Sequence, residues 1–407
     1  MGTRVLVTYG WCRTAYVICE RLARRGYRVS ACGESALSMT RVSRYVDTFD
    51  RVPDPFGNPR LYAAAIGEVA RNRRAALVMP AHEDFLALAE FRELLPPGVI
   101  IAAPTIEQGR EVIDKWKLIC RAKRAGIPVP VTVAPTSLKH AEQVIRTSAL
   151  PLVLKPRRGN GAKGIVVVRD PETGAAAFEE LLRRFQLGPD ELPLIQQYLN
   201  GAQLGSCFLS AHGEVLACFV ERYIRCKQPG FGTSVLRERS SSDDIERLTR
   251  QLARELRWTG VGHLDFIMGD DGRPYLLEMN PRFWGALSLA VENGFDFPVA
   301  LASLALTGAP DPRCFTNRTA GQSLWIAGEL MACLDDLRHL RMAEVLKAPA
   351  RFWRARHFDD FRLEDPLPLF LELAYYFSGF LRSGGDANPV RPAMVRATRH
   401  ALNQTGN

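Results

Sequence analysis

The pattern of apolar and polar residues shows two short, mainly apolar runs late in the chain, and a turn rich in glycine and aspartate separates them. The first run covers residues 263–268, the turn covers residues 269–272, and the second run covers residues 274–282. Two apolar runs around such a turn predict a β-hairpin. Because successive side chains on a strand point to opposite faces, residues two apart share a face. The pattern therefore predicts which polar side chains of the hairpin lie together.

One face of this hairpin is expected to carry oxygen ligands and a cation. Glu278 and Asn280 share that face, and Arg282 joins them if the strand continues past Pro281. A loop of about four residues places Asp265 opposite Glu278. Carboxylate and amide oxygens suit Mg²⁺, and a guanidinium group suits the phosphates that accompany it. A solvated hairpin face without a ligand is the alternative that these residues alone leave open.

Strands and helices alternate over the first hundred residues, which predicts a parallel, Rossmann-like sheet. The first turn has only Gly10 before Trp11 and lacks the G-x-G-x-x-G pattern, so a nicotinamide-dependent dehydrogenase is excluded. His82, Glu83 and Asp84 open a helix and are interpreted as cap residues, with substrate contact as the alternative. The predicted strands are residues 4–9, 27–31, 75–79 and 99–102. One predicted helix ends at about Arg25, and a second covers residues 83–95.

The pattern changes after residue 104. Strands become frequent between residues 194 and 224, helices dominate after Val299, and a tail from about residue 384 is expected to be loosely attached. No apolar stretch reaches the roughly 18 to 20 residues of a membrane span. Further predicted elements are helices over residues 105–127, after Ser137 and over 243–256, with strands over 131–134, 150–155 and 165–169.

Composition narrows the class of protein. With 407 residues, 47% of them hydrophobic and 24% charged, the chain is expected to form about two or three globular domains. The net charge of +9 is dispersed, which disfavours nucleic acid as a partner and favours small anionic substrates. The nine cysteines are scattered without a Cys-x-x-Cys pair, and the N-terminus lacks the apolar core of a signal peptide. Both features predict a cytoplasmic protein with reduced thiols.

A second motif is a basic, glycine-rich loop at residues 155–164, between two apolar strands. It lacks the G-x-x-x-x-G-K-[ST] order of a Walker loop. Its backbone N–H groups and its four cations would still suit a polyphosphate. A basic surface hairpin is the alternative. Together with the acidic hairpin about a hundred residues later, the loop predicts a cleft for a magnesium nucleotide.

The order of these motifs resembles the ATP-grasp superfamily of ligases. The resemblance covers about residues 1–300 and implies an α/β protein in which a Rossmann-like domain precedes the ATP-grasp fold. Expected domain bounds are residues 1–104, then 105–195 and 196–310 for the two ATP-grasp subdomains, and 311–407 for a helical C-terminal extension. The matching motifs are residues 114–115, 125–130, 151–156, 195–201, Asp265 and residues 277–282.

The resemblance implies roles for individual residues. Asp265, Glu278 and Asn280 would hold two Mg²⁺ ions, and Mn²⁺ would be able to replace them. Arg282 and Lys155 would be catalytic, and residues 159–164 would form a mobile lid over the phosphates. The implied ATP-binding residues are Lys115, Lys155, Arg157, Gly159, Gly161, Lys163, Gly164, Gln196, Gln197, Tyr198, Leu199 and Gln203.

Two positions depart from the superfamily's pattern. The hinge that would line the adenine pocket, residues 196–199, usually begins with acidic residues but begins here with Gln196-Gln197. Gln203 stands where the superfamily often has an acid that binds the ribose hydroxyls. An amide still accepts hydrogen bonds, so altered nucleotide contacts are expected rather than a dead site. His263, two residues before Asp265, is interpreted as a hydrogen-bonded structural histidine, with a catalytic histidine as the alternative.

Neighbouring segments resemble a branch of ATP-grasp carboxylate–amine ligases. These segments are residues 221–225, 230–238, 283–290 and 293–298. The implied reaction activates a carboxylate as an acylphosphate, releases ADP and joins the acid to an amine. Arg222, Arg225 and Ser234 are expected on the acceptor side of the cleft, with an exposed basic loop as the alternative. A bicarbonate-using carboxylase and a non-catalytic ATP-binding protein are the alternative functions that remain open. A homodimer is a further possibility for the assembly.

Overall fold

The structure is a computed structural model that describes residues 2–159, 161–228 and 230–382. Asn160 of the predicted lid, Pro229 and the predicted tail from residue 384 lie outside the described residues. The described chain contains a parallel sheet, a small antiparallel sheet and a large mixed sheet. None of its helices combines the length and the apolar character needed to cross a membrane.

The first sheet has five strands in the order β3-β2-β1-β4-β5, and every neighbouring pair is parallel. The predicted Rossmann-like sheet is therefore confirmed. The sequence does not predict β3, because Phe49 is the one apolar residue of its four. The elements are β1 (Arg4–Val7), α1 (Arg13–Arg24), β2 (Arg28–Gly33), β3 (Thr48–Arg51), α2 (Pro59–Arg73), β4 (Leu77–Met79), α3 (Phe85–Glu90) and β5 (Ile100–Ile101).

The second sheet has four antiparallel strands in the order β6-β9-β7-β8. Side-chain caps begin its helices: Asp114 accepts hydrogen bonds from the start of α5, Ser137 from α6 and Asp170 from α7. The elements are α4 (Ile106–Ile113), α5 (Lys115–Arg124), β6 (Thr132–Val133), α6 (Leu138–Thr147), β7 (Leu152–Lys155), β8 (Val166–Val168), α7 (Pro171–Phe185) and β9 (Leu194–Gln197).

The third sheet has seven strands in the order β14-β13-β10-β11-β12-β15-β16. Its first five strands are antiparallel neighbours, and the predicted hairpin forms its β13–β14 edge. The elements are β10 (Gln203–Ala211), β11 (Glu214–Gln228), β12 (Phe231–Ser240), α8 (Asp243–Glu255), β13 (Gly260–Met268), β14 (Pro274–Asn280), α9 (Leu287–Glu292) and α10 (Phe297–Thr307).

The C-terminal extension is mainly helical, as predicted, but it also adds β15 and β16 to the large sheet. These strands are short, and β16 is half polar, so periodicity does not reveal them. The extension also reaches the first sheet, where the Tyr375 ring stacks on Trp11 with centroids 4.4 Å apart. Its elements are β15 (Gln322–Leu324), α11 (Ile326–Arg338), α12 (Met342–Leu346), α13 (Ala348–Arg354), β16 (Ala355–Phe358) and α14 (Leu367–Arg382).

The largest apolar core joins the parallel sheet to the large sheet. It contains Val5 and Tyr16 from the first sheet's layer, Phe219 from β11, and Leu289 and Phe297 from α9 and α10. This shared core brings the ends of β1 and β4 against the segment that follows β14. The loops of the Rossmann-like domain thereby become part of the wall of the cleft.

Candidate active site

The hairpin places its polar residues as the sequence predicts. Asp265 pairs with Glu278 across the two strands, and His263 pairs with Asn280. The register then shifts, so that Leu277 is bulged opposite β13. Asn280 Nδ2 donates to Asp265 Oδ2 at 3.1 Å. The hairpin face therefore brings two carboxylates and an amide together.

Two lysines lie against Glu278, Lys115 at the start of α5 and Lys155 at the end of β7. Lys115 Nζ lies 3.3 Å from Glu278 Oε2 and donates to the Gly159 carbonyl at 2.6 Å. Lys155 Nζ lies 3.4 Å from the carbonyl oxygen of the bulged Leu277. Burial would raise the pKa of Glu278, but the charges of the two lysines outweigh it and lower that pKa. Glu278 is thus held as a carboxylate.

Lys155 has an unusual charge state. It is 4% exposed, and burial together with the nearby charge of Lys115 lowers its pKa to about 7. Phosphates bound in front of this side chain would favour its charged form. The charge of Lys155 is therefore expected to depend on whether nucleotide is bound.

This dependence predicts proton uptake on nucleotide binding. At pH 8 the Lys155 amine of the free protein is mostly neutral, and the phosphates of MgADP would raise its pKa, so binding should take up close to one proton. Isothermal titration in buffers of different ionisation enthalpy measures that number. Lys155→Arg should abolish the uptake, because arginine stays charged. Equal uptake by both proteins would contradict the account.

Arg282 continues the same face beyond β14. Its Nη2 donates to Asn280 Oδ1 at 3.2 Å, and its Nη1 donates to the Phe283 carbonyl at 2.9 Å. Its Nε lies 3.4 Å from Glu83 Oε1, which follows β4 in the Rossmann-like domain. The guanidinium is therefore fixed beside the predicted metal ligands by groups from two domains.

A cleft extends from the hairpin face toward the hinge after β9. Gln197, Tyr198, Leu199 and Gln203 line it, as predicted for the nucleotide. Gln196 also lines it, but its amide donates to Thr132 Oγ1 at 2.8 Å. The apolar side chains of the hinge end are Pro130, Val153, Ile165, Val167 and Ile267, which suits a flat base. The predicted residues that line the cleft are Lys155, Gly161, Gln196, Gln197, Tyr198, Leu199, Gln203, Ser234, Asp265, Glu278, Asn280 and Arg282.

Other predicted residues lie elsewhere. Arg157 donates to Asp114 at 2.8 Å and thereby braces the start of α5. Gly164 packs beside Phe185 and Pro156. Lys115 and Gly159 contact one another next to the cleft. Burial lowers the pKa of the His82 imidazole, and the nearby charges of Arg282 and Lys163 lower it further. The roles of all these residues toward nucleotide stay predictions.

The structure does not bring Arg222 or Arg225 to the cleft, and this corrects the sequence-based placement. Arg222 pairs with Glu238 at 2.6 Å, and it lies on the opposite face of β11 from its neighbours Glu221 and Tyr223. Register shifts follow Tyr223, and such a bulge re-aims side chains. Arg225 is consequently directed into an acidic pocket of the C-terminal extension.

That pocket holds Arg225 in a nearly buried ion-pair network. Its guanidinium contacts Glu329 at 2.8 Å, Asp336 at 2.6 Å and Glu344 at 3.3 Å. Arg351 joins the same network through Glu329 at 2.6 Å. Arg225 therefore fastens the extension to β11.

Removal of Arg225 is expected to destabilise the protein. Arg225→Met removes one guanidinium from a largely buried acidic cluster, in which Glu329 keeps Arg351 and Asp336 keeps Arg341, so the expected cost is at the lower end of about 3–5 kcal/mol. Arg222→Gln, the matched control on the same strand, removes an exposed pair worth about 0–1 kcal/mol. Thermal melts should separate the two variants by several degrees. Equal melting temperatures would contradict the fastening role.

The cleft also contains residues that sequence reasoning did not assign to the site. Tyr223 donates to Asp265 Oδ1 at 2.6 Å and contacts His263 Nε2 at 3.2 Å. Glu221 and Trp284 line the same end of the cleft. The available signal was strand alternation, because Glu221 and Tyr223 are two residues apart on β11. Burial raises the pKa of Asp265 to about 6.

The donor set fits Mg²⁺ and a triphosphate. Asp265, Glu278 and Asn280 offer oxygen atoms on one face, which matches the hard ligands that Mg²⁺ prefers. Lys155 and Arg282 stand beside them with positive charge for phosphate oxygens. A carboxylate cluster next to such cations suits a metal–polyphosphate complex better than a bare metal site.

Residues 112–286 match the family model of the ATP-grasp domain, so this part of the chain is identified as an ATP-grasp domain. The predicted fold class is thereby confirmed, with the parallel-sheet domain before the ATP-grasp fold and helices at the C-terminus.

Known proteins similar to this chain include both carboxylases and amine ligases. A pyruvate carboxylase of Schizosaccharomyces pombe is 28% identical over 239 residues, which is 53% of this chain and 19% of that protein. A D-alanine–D-alanine ligase of Nitrosospira multiformis is 27% identical over 179 residues, which is 41% of this chain and 56% of that protein. This chain thus spans only part of the length of either relative.

A similar fold occurs in the biotin carboxylase domain of the Hydrogenobacter thermophilus 2-oxoglutarate carboxylase. The TM-score is 0.63 at 18% identity, and the match covers 79% of this chain and 73% of that one. That structure contains ADP, its magnesium salt and bicarbonate. At this identity the likeness concerns the fold alone.

Proposed function

We propose that the protein is an ATP-dependent ligase that joins a carboxylate to an amine. In the first step a carboxylate oxygen attacks the γ-phosphorus of ATP, and the bond to ADP breaks. In the second step the amine nitrogen attacks the carbonyl carbon of the acylphosphate. The C–N bond forms, the C–O bond to phosphate breaks, and the amine loses its protons to phosphate and solvent.

The observation that carries this proposal is the convergence at the hairpin. Asp265, Glu278 and Asn280 share one face, Arg282 is fixed at its end, and the amine of Lys155 approaches from a separate domain. Phosphoryl transfer needs positioning and electrostatic stabilisation more than a nucleophile–base pair. A protein that only binds nucleotide would not need this complete set.

Each residue has a role that its position supports. Mg²⁺ held by Asp265, Glu278 and Asn280 would neutralise charge on the phosphates. Lys155 would bind phosphate oxygens from the opposite side of the cleft. Arg282 would donate two N–H groups to the transferring phosphoryl group, and Glu83 and Asn280 would keep its guanidinium in place. The apolar walls between Pro130 and Ile267 would hold the base.

A bicarbonate-using carboxylase is the second candidate. It is favoured by the extent of the similarity to pyruvate carboxylase, which covers 53% of this chain. The acidic and aromatic end of the cleft, lined by Glu221, Asp265 and Trp284, favours an amine over a second anion. We therefore place the amine ligase first.

One screen distinguishes the candidates. ADP release is measured with the twenty proteinogenic amino acids, singly and in pairs, in buffer freed of carbon dioxide and again with added bicarbonate. A ligase should release ADP with a particular pair and without bicarbonate. ADP release that depends on bicarbonate would favour the carboxylase, and ADP release that no added acid or amine changes would favour a protein without ligase activity.

A further inference from the structure

Glu221 lies in a row of residues that crosses the floor of the cleft. Gly205 pairs with Glu221 on one side and with Asp265 on the other, and Asp265 pairs with Glu278. Residues paired directly across antiparallel strands present their side chains on the same face. The row therefore runs Glu221, Gly205, Asp265, Glu278. Two strand spacings, or about 10 Å, separate the backbones of Glu221 and Asp265.

Gly205 makes room for the side chains around Glu221. A Cβ at this position would lie 2.7 Å from His263 Nε2, 2.9 Å from the Tyr223 hydroxyl and 3.0 Å from Glu221 Cγ. Any other residue would push these groups apart. The gap in the row thus allows Glu221, Tyr223 and His263 to converge beside the predicted metal ligands.

The carboxylate of Glu221 is only half satisfied. The side chain is 1% exposed, and its Oε1 lies 3.5 Å from His263 Nε2. Its Oε2 has no hydrogen-bond partner among the described residues, and the same holds for the indole N–H of Trp284, which is 2% exposed. Leaving buried polar atoms without partners is costly. Both residues line the cleft, where a ligand's donor group would satisfy Glu221 Oε2 and an acceptor group would satisfy the Trp284 indole N–H.

The surroundings select a cation. No described lysine or arginine nitrogen lies within 4 Å of Glu221, and Arg239, its neighbour on β12, donates instead to Asn317 and to the Arg318 carbonyl. Trp284 and Tyr223 add aromatic rings on the two sides of His263. A carboxylate and aromatic faces together favour an ammonium group and repel an anion.

A metal ion at Glu221 is the competing interpretation. Cys207, Glu221 and His263 have donor atoms within 4.8 Å of one another. Cys207 is fully buried and is not among the residues that line the cleft, so a group that enters the cleft meets Glu221 and His263 without this thiol. The ammonium interpretation therefore explains the site better.

We propose that Glu221, with Trp284 beside it, binds the ammonium group of the amine substrate. This proposal rests on the proposed ligase function and identifies the end of the cleft at which the amine enters. The amine substrate would thus bind as a cation, at the opposite end of this row from Glu278. Glu221 would act on amine binding and not on the formation of the acylphosphate.

The first test compares two acceptors for the acylphosphate. Hydroxylamine is uncharged at neutral pH and traps an acylphosphate as a hydroxamate without an ammonium site. For Glu221→Gln, the KM for the charged amine should rise roughly 10- to 100-fold, because a charge-assisted contact is lost. The ratio of amine-supported to hydroxylamine-supported turnover at low amine should fall by the same factor. Glu214→Gln, an exposed substitution on the same strand, should leave both quantities unchanged.

A second test does not depend on turnover. In the presence of MgADP, propylammonium chloride should protect the wild-type protein from thermal unfolding more than equal sodium chloride or 1-propanol does. Glu221→Gln should lose that difference. If Glu221→Gln loses that difference while the wild-type protein forms no hydroxamate, the ammonium site is retained and the ligase function is rejected. An unchanged amine KM and unchanged protection in Glu221→Gln would overturn the site, as would stoichiometric zinc in the wild-type protein that this variant lacks.

Discussion

Arg282→Lys is expected to lower kcat by on the order of 10²–10³-fold, the usual effect of losing one preorganised charge-stabilising donor. The guanidinium is held by Asn280, by Glu83 and by the Phe283 carbonyl. In the proposed reaction this arrangement would aim a planar, bidentate donor at the place where phosphoryl charge develops. A lysine ammonium is a point charge on a flexible stem and cannot reproduce the two parallel hydrogen bonds.

Steady-state kinetics together with a thermal melt separate this role from a structural one. The KM for ATP should change much less than kcat, because the stabilisation is confined to the transition state. Arg273→Lys is the matched control, since Arg273 lies in the exposed turn of the same hairpin and pairs with Asp271. A near-normal kcat with a lowered melting temperature would show that Arg282 is structural.

Glu278→Gln is expected to reduce turnover by at least about 10²-fold, since metal-assisted charge stabilisation supplies several kcal/mol. Glu278 contacts Lys115 and stands opposite Asp265, so it links the predicted metal site to the lysine at the start of α5. The amide keeps the shape of the side chain and removes its charge. The apparent affinity for Mg²⁺ should fall along with kcat.

The stability of this variant distinguishes a metal ligand from a structural ion pair. If Glu278 chiefly binds metal, Glu278→Gln should melt near the wild-type temperature without Mg²⁺ and lose most of the stabilisation that MgADP gives. Asp271→Asn removes an acid from the turn of the same hairpin and serves as the control. Full activity of Glu278→Gln at saturating Mg²⁺ would remove Glu278 from the metal site.

The hairpin and the parallel sheet could be predicted because local patterns determine them. Alternation fixes the face shared by Glu278 and Asn280. The turn pairs Met268 with Pro274, and the bulge at Leu277 then brings Asp265 opposite Glu278. The strand–helix alternation of the first hundred residues similarly implies parallel pairing. These features need no knowledge of distant contacts.

The acceptor end of the cleft could not be predicted in the same way. The bulge after Tyr223 turns Arg225 away from the face that simple alternation assigns to it, and the acids that receive it lie more than a hundred residues later. The contact between Arg282 and Glu83 spans 199 residues and depends on how two domains pack. A short strand such as β15 gains its stability from its neighbours in the sheet and leaves almost no periodic signal.

Transfer of oxygen from the acid to phosphate tests the central claim most directly. The acid substrate is labelled with ¹⁸O in its carboxylate, and the released phosphate is analysed by mass spectrometry after turnover with ATP and the amine. Phosphoryl transfer to the carboxylate predicts one ¹⁸O atom in each phosphate and one fewer in the amide product. Phosphate without ¹⁸O, released while the amide keeps both labels or while no amide forms, would contradict activation of a carboxylate as an acylphosphate.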